Sequence, residues 1–205
     1  MEKKTNRILI VDDSEAIHRD IIKILSGPKT ASKRADLSLI EQQLFDDDPP
    51  SDLRFVPPPN IDPIRYRIDS AFQGKEAVEM VDRAEEEGNP YAMVFMDVRM
   101  PPGMNGIETI EAIWRKHPSV EMVIVTAFSD HSWEDILARV GRTDHLMILR
   151  KPFDLITIKQ LALALTKKYN ISMKVQNYIE HMEVEVRNGS PQLSSMVMEL
   201  KRLLR

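Results

Sequence analysis

The chain has 205 residues, a formal net charge of -4 and no cysteine. This charge gives no sign of nucleic-acid binding, and the lack of cysteine excludes disulfides and thiolate metal sites in these residues. Its five histidines do not have the spacing of metal ligands. The apolar run near Met1 is short and flanked by charges, and no stretch approaches the roughly 20 apolar residues that span a bilayer, so the sequence predicts a soluble cytoplasmic protein.

Strand and helix patterns alternate along most of the chain. Short β-branched runs predict strands, and apolar residues three or four positions apart predict helices, several of which end at Gly or Pro. The predicted strands are residues 7–11, 66–71, 91–96, 121–126 and 145–150, and the predicted helices are residues 14–25, 74–88, 106–117, 132–141 and 154–169.

Two segments do not follow this alternation. Residues 27–65 interrupt the first crossover with an acidic, proline-rich insert that includes a short helical candidate at 35–45. The insert is interpreted either as a tolerated surface excursion or as a docking element. Residues 169–205 predict two amphipathic helices separated by "NGSP" at 188–191, whose apolar stripes must pack on the domain, on each other or on a second chain. The basic residues of this tail are interpreted as a solvated face.

Alternating strand–helix pairs predict a parallel sheet with helices on both faces and right-handed crossovers. In such a sheet the carboxyl ends of the strands lie along one edge, where ligands bind. Three carboxylates, Asp12, Asp13 and Asp97, follow or end predicted strands. Carboxylates packed together need a counter-charge, and ligands that are all oxygen favour Mg²⁺.

Two further groups at this edge favour phosphate chemistry. Thr126 ends the fourth predicted strand and Lys151 follows the fifth, and a hydroxyl and an ammonium both suit phosphate oxygens. Asp97 ends the central predicted strand and is the best candidate nucleophile, since a carboxylate that attacks phosphorus gives an acyl phosphate.

Four segments, "ILIVDDSEAIHRDI", "MDVRMPPGMNGIETI", "VIVTAFSD" and "LRKPFD", resemble the signature segments of the response-regulator receiver domain of two-component signalling. The resemblance covers residues 6–168 apart from the insert. It implies an α/β flavodoxin-like (βα)₅ doubly wound sheet with strand order 2-1-3-4-5. With its insert after the first helix, the chain resembles receivers at the head of larger multidomain proteins, so either the tail, a C-terminal helical extension or linker, is the output or the chain is a fragment.

The resemblance also implies roles for single residues. Asp97 would accept a phosphoryl group from a sensor histidine kinase or a phosphotransfer protein. Thr126 would turn towards this group, Lys151 would pair with it, and the Lys151–Pro152 peptide would be cis. The Mg²⁺ ligands would be Asp12, Asp13, Asp97 and the backbone carbonyl of Arg99.

The sequence departs from the family pattern within the site. The turn at residues 100–104 is one residue longer than usual. Ile148 replaces the aromatic residue whose rotation is coupled to Thr126, so this switch step must differ, be damped or be shared with Phe128. Arg99 and Phe128 flank the site and would control the access of water to it.

The function implied is a phosphorylation-controlled switch, which is a regulatory module and not a metabolic enzyme. Phosphorylation would bias the face formed by strand 4, helix 4, strand 5 and helix 5. A partner, an output domain or a homodimer would then respond through this face or through the C-terminal helices. Two alternatives remain open: a degenerate receiver that acts as a protein scaffold, and a Mg²⁺-dependent aspartyl-phosphate phosphohydrolase.

Overall fold

The computed structural model describes residues 5–26, 64–127, 133–141 and 143–187. Contacts divide the chain into two units, residues 1–25 with 66–205, and residues 26–65. The predicted helix at 35–45, Phe128 and the predicted last helix lie outside the described residues. The elements of the described part are β1 (Arg7–Val11), α1 (Glu15–Ser26), β2 (Arg67–Ala71), α2 (Gly74–Glu86), β3 (Met93–Asp97), α3 (Gly106–Lys116), β4 (Glu121–Thr126), α4 (Trp133–Val140), β5 (Leu146–Arg150) and α5 (Leu155–Arg187).

The strands form one parallel sheet in the order β2-β1-β3-β4-β5, which confirms the predicted fold and strand order. The register keeps the carboxyl ends of the strands level. Val11 pairs with Ala71 and with Met96, and Thr126 pairs with Arg150. Residues that follow β1 and β5 therefore reach the edge of the sheet where Asp97 ends β3.

Helices cover both faces of the sheet, because alternate strand residues point to opposite sides. One apolar cluster contains Leu9, Val94 and Ile124, and it includes residues of α2 and α3. The other contains Ile8 and Phe95 with residues of α1 and α5. Between the two clusters, every residue of β3 is buried. The Asp97 carboxylate thus stands at the end of a strand that is buried throughout.

The last described helix differs from the prediction. The sequence predicted a helix end at Tyr169, whereas α5 continues without a break to Arg187. Residues 155–187 contain neither Gly nor Pro, so nothing in the local sequence stops the helix. At the predicted boundary the Asn170 side chain accepts a hydrogen bond from the Thr5 backbone N–H (2.9 Å) and donates one to the Thr5 carbonyl (2.7 Å). These bonds fix α5 to Thr5, two residues before β1 begins.

The turn between β3 and α3 depends on a close approach at Gly106. Asn105 caps α3 in a reciprocal capping box with Glu108, which fixes where the helix begins. A Cβ added at Gly106 would overlap the carbonyl oxygen of Asp97 and would lie 2.9 Å from its carbonyl carbon. The absent side chain at Gly106 is therefore what lets α3 begin directly beside the end of β3.

Gly106→Ala is expected to destabilise the protein by about 1–3 kcal/mol, because the added methyl group must displace main chain. Gly103→Ala, in the same turn, is the matched control, since a Cβ there meets only the end of the Gln73 side chain, 2.6 Å from its Oε1. Urea unfolding of both variants measures the difference. Equal stability of the two variants would show that the backbone at Gly106 relaxes freely.

Candidate functional site

Asp97 lies at the centre of the carboxyl edge and is held on both of its oxygens. It is the last residue of β3 and is 8% exposed. The backbone N–H of Arg99 donates to Oδ2 at 2.7 Å, and Lys151 Nζ donates to Oδ1 at 2.6 Å. These two bonds fix the orientation of the carboxylate.

Asp12 is a second buried carboxylate at the same edge. It follows β1 and is 2% exposed. The Ser14 backbone N–H donates to Oδ1 at 2.9 Å, and Lys151 Nζ donates to Oδ2 at 2.9 Å. One ammonium thus lies between Asp12 and Asp97, and the three predicted residues meet although 139 positions separate Asp12 from Lys151. Asp13 lies beside them in the chain and is exposed.

Lys151 is placed by its own backbone. Its N–H donates to the Thr126 carbonyl at 2.8 Å, which continues the pairing of β4 and β5 by one residue. The Lys151–Pro152 peptide is cis, as predicted, and the Pro101–Pro102 peptide in the longer turn after Asp97 is also cis.

The charges of this group do not balance, since two carboxylates share one ammonium. Burial raises the pKa of Asp97 above its ordinary value, and the nearby Asp12 charge raises it further, while Lys151 and the Arg99 N–H act in the opposite direction. Burial lowers the pKa of Lys151, but hydrogen bonds to Asp97 and Asp12 outweigh this effect and raise the pKa overall. The site therefore has a deficit of positive charge.

The remaining predicted site residues surround this centre. Thr126 is buried, and its hydroxyl donates to the Ala127 carbonyl at 2.9 Å. Ile148 is partly buried and packs against the apolar cluster on the α2–α3 side of the sheet. The Arg99 side chain is exposed, and its backbone N–H contacts Asp97.

His18 is a residue that the sequence reasoning did not assign. It is 4% exposed, and its Nε2 lies 2.8 Å from the Asp12 carbonyl oxygen. The available signal was its position, because His18 shares the inner face of α1 with Ile21 and Leu25 at spacings of three and four. Spacing between histidines cannot reveal a contact between one histidine and a backbone carbonyl.

The donor atoms of this edge suit Mg²⁺. Within the described residues, no group of three or more His, Cys, Asp or Glu side chains lies in a metal-binding arrangement. Mg²⁺ retains several waters, however, and one or two carboxylates are enough to bind it. The two buried carboxylates, Asp12 and Asp97, meet that requirement, and a divalent cation would correct their charge deficit.

A response regulator is among the proteins that are similar to this chain. The probable C4-dicarboxylate response regulator DctR of Bacillus subtilis (strain 168) is 24% identical over 123 residues, which cover 60% of this chain and 50% of that protein. The chain thus spans about half the length of that curated relative.

Solved structures share the fold at low identity. An adenylate cyclase from Rhodopirellula baltica matches with a TM-score of 0.57 and 18% identity, over 86% of this chain and 98% of that one. NtrX from Brucella abortus matches with a TM-score of 0.55 and 15% identity, over 84% of this chain and 29% of that one. No helix in the described part of the chain is both long enough and apolar enough to cross a membrane.

The response regulator receiver domain family matches residues 61–163, which is 103 of the 205 residues. The chain belongs to this family of two-component signalling, whose members are regulatory rather than catalytic. The match begins before β2. The structure places β1 in the same sheet as the matched strands and packs α1 against that sheet, so Asp12 and His18 belong to the same fold.

The buried charge of Asp97 predicts a pH-dependent effect on stability. A raised folded-state pKa means that the folded protein binds the proton more tightly than the unfolded chain does. Ionisation of Asp97 therefore destabilises the folded protein. This destabilisation is absent below the pKa of Asp97 in the unfolded chain and reaches its full value above the pKa in the folded protein. Asp97→Asn is expected to raise Tm at neutral pH by roughly 2–4 °C, the shift that about 1 kcal/mol gives at this chain length.

Thermal unfolding across pH checks this expectation, with Asp13→Asn as the control at an exposed carboxylate. The Tm advantage of Asp97→Asn should shrink as pH falls through the folded pKa of Asp97. A lower Tm than wild type at neutral pH would show that Lys151 stabilises Asp97 by more than burial destabilises it.

Proposed function

We propose that this chain is a phospho-accepting receiver in which Asp97 takes a phosphoryl group from a sensor histidine kinase or a phosphotransfer protein. The observation that carries the proposal is the orientation of Asp97. Its carboxylate is buried and aimed by the Arg99 N–H and Lys151 Nζ, and it stands beside a second buried carboxylate, Asp12. Two buried carboxylates beside one ammonium destabilise the fold, so the arrangement has no structural benefit. It suits a carboxylate that must receive an anionic phosphoryl group.

The chemistry follows from the contacts. An Asp97 oxygen attacks phosphorus, the new O–P bond forms as the P–N bond of a phosphohistidine donor breaks, and the imidazole nitrogen keeps the bonding pair. Lys151 is placed to balance the charge on the transferred oxygens, and the Arg99 N–H holds the carboxylate in the attacking orientation. Mg²⁺, held by Asp12, Asp13, Asp97 and the Arg99 carbonyl, would supply the positive charge that the site lacks.

The response to phosphorylation begins at Thr126. Its hydroxyl, which donates to Ala127 in this structure, would turn to a phosphoryl oxygen. The partly buried Ile148 would report this movement through packing rather than ring rotation, and Arg99 and Phe128 would control the access of water. The signal would leave through β4, α4, β5 and α5 to a partner, a second copy or an output domain.

The proposal extends to the organisation of the chain. The receiver would span residues 6–168, with residues 27–65 as an insert, and residues 169–205 would form a C-terminal helical extension. The protein would act in the cytoplasm, and its only chemistry would be its own phosphorylation and dephosphorylation. The unbroken run of α5 from the sheet to Arg187 supports the extension as the route to an output.

The experiment is an intact-mass measurement after incubation with a small acyl-phosphate donor. We expect one phosphoryl adduct on wild type with Mg²⁺, none when Mg²⁺ is removed by a chelator, and none on Asp97→Asn. Asp13→Asn is the matched carboxylate control and should form the adduct more slowly. An adduct that persists in Asp97→Asn would place the acceptor elsewhere, and no adduct on wild type that binds Mg²⁺ would favour the scaffold alternative.

A further inference from the structure

We infer that His18 is a positioning residue that fixes the backbone of Asp12 and thereby sets the affinity of the site for Mg²⁺. The inference rests on the proposed function, because it assigns to a residue outside the ligand set a part in that metal site. It requires a proton on His18 Nε2, which both the charged ring and one neutral tautomer carry, and it does not depend on the titration of His18.

The His18 ring joins three elements of the fold. Its Nε2 lies 2.8 Å from the Asp12 carbonyl oxygen at the end of β1, and its Nδ1 lies 2.9 Å from Ser70 Oγ on β2. The Phe72 ring covers it at a centroid distance of 4.6 Å. His18 itself lies on α1, so one side chain holds that helix to the ends of two strands.

The chemistry of the partners shows which atom donates and which accepts in the two hydrogen bonds of the His18 ring. A backbone carbonyl can only accept, so Nε2 must carry the proton that bonds to Asp12. In the neutral ring Nδ1 then accepts from the Ser70 hydroxyl. The Asp12 carbonyl thus fixes the tautomer, and the hydroxyl of Ser70 on β2, which can donate or accept, adapts to it.

The Asp12 backbone is also held through its N–H. Its N–H donates to the Ala71 carbonyl at 3.3 Å, a longer contact than the 2.8 Å between its carbonyl and His18. The Asp12 carboxylate is held by the Ser14 N–H and Lys151, but the backbone that His18 contacts sets where this side chain and Asp13 after it begin. Partners that orient metal ligands typically change metal affinity about 10–100-fold when they are removed.

The test compares two unbranched replacements of similar length. His18→Met removes both hydrogen bonds, whereas His18→Gln keeps an N–H donor that can reach the Asp12 carbonyl. By calorimetric titration with MgCl₂, we expect His18→Met to bind Mg²⁺ about tenfold or more weakly than wild type, and His18→Gln to recover most of the affinity. Ile21→Val, at a fully buried position on the same helix, is the control for lost packing alone and should keep wild-type affinity.

The outcomes separate this inference from the proposed function. If wild type binds Mg²⁺ and His18→Met binds it equally well, the positioning role is wrong and the receiver site stands. If wild type binds no Mg²⁺, both are wrong. Nitrogen-15 spectra of wild type give a second reading that needs no variant to fold, since a neutral His18 with its proton on Nδ1 could not donate to Asp12 and would overturn the inference.

Discussion

Lys151→Met is expected to destabilise the protein by about 3–5 kcal/mol, which is the usual cost when one partner of a buried ion pair is removed. Lys151 Nζ contacts Asp97 at 2.6 Å and Asp12 at 2.9 Å, and both acids are buried. Without the ammonium, two carboxylates would face each other in a desolvated site. Urea unfolding at neutral pH and low Mg²⁺ measures this loss.

Three comparisons make the Lys151 prediction specific. Adding Asp97→Asn to Lys151→Met should return much of the stability, because it removes one of the two facing charges. The deficit should shrink in acid, where the carboxylates are protonated, and also when Mg²⁺ is added. Lys116→Met removes a surface pair with Asp82, in which Lys116 is largely exposed, and should cost under about 1 kcal/mol. If Lys151→Met cost as little stability as Lys116→Met, the carboxylates of Asp12 and Asp97 would be solvated.

Lys168→Met is expected to produce the second large effect, about 2–3 kcal/mol, at the opposite edge of the sheet. Glu121 begins β4 and is 0% exposed. Its Oε2 accepts from Lys168 Nζ on α5 at 3.1 Å, and its Oε1 lies 2.9 Å from His145 Nδ1. Burial raises the pKa of Glu121, while His145 and Lys168 act in the opposite direction. Without Lys168, Glu121 keeps His145 as a partner. The loss of stability is therefore smaller than the loss expected for a buried charge with no partner.

The Lys168 loss should depend on pH in a defined direction. Protonation of Glu121 removes the buried charge, so the difference from wild type should decrease as pH falls through the folded pKa of Glu121. Lys75→Met is the matched control, because Lys75 and Glu79 form a solvated pair on α2 at 3.9 Å. Thermal and urea unfolding check both variants, and equal losses would show that His145 alone compensates Glu121.

The sequence by itself determined the fold class and which residues follow or end the strands at the carboxyl edge of the sheet. Short apolar runs, helical periodicity and turn residues were enough to predict five strand–helix pairs. Parallel pairing then required the ends of β1, β3 and β5 to meet. For this reason the sequence alone predicts that Asp12, Asp97 and Lys151 lie close together, as they do. These features are local, or follow from topology alone, and so they are encoded in short stretches of the chain.

Only the tertiary structure decided which of these residues touch and what holds them. A hydrogen bond from His18 to a backbone carbonyl leaves no motif, because every residue has a carbonyl. Glu121 is buried by elements distant in sequence, and its partners Lys168 and His145 lie 47 and 24 positions away. The unbroken run of α5 past Tyr169 also escaped prediction, although residues 155–187 contain neither Gly nor Pro. Contacts that depend on how separate elements pack are fixed by three-dimensional proximity, which no single stretch of sequence contains.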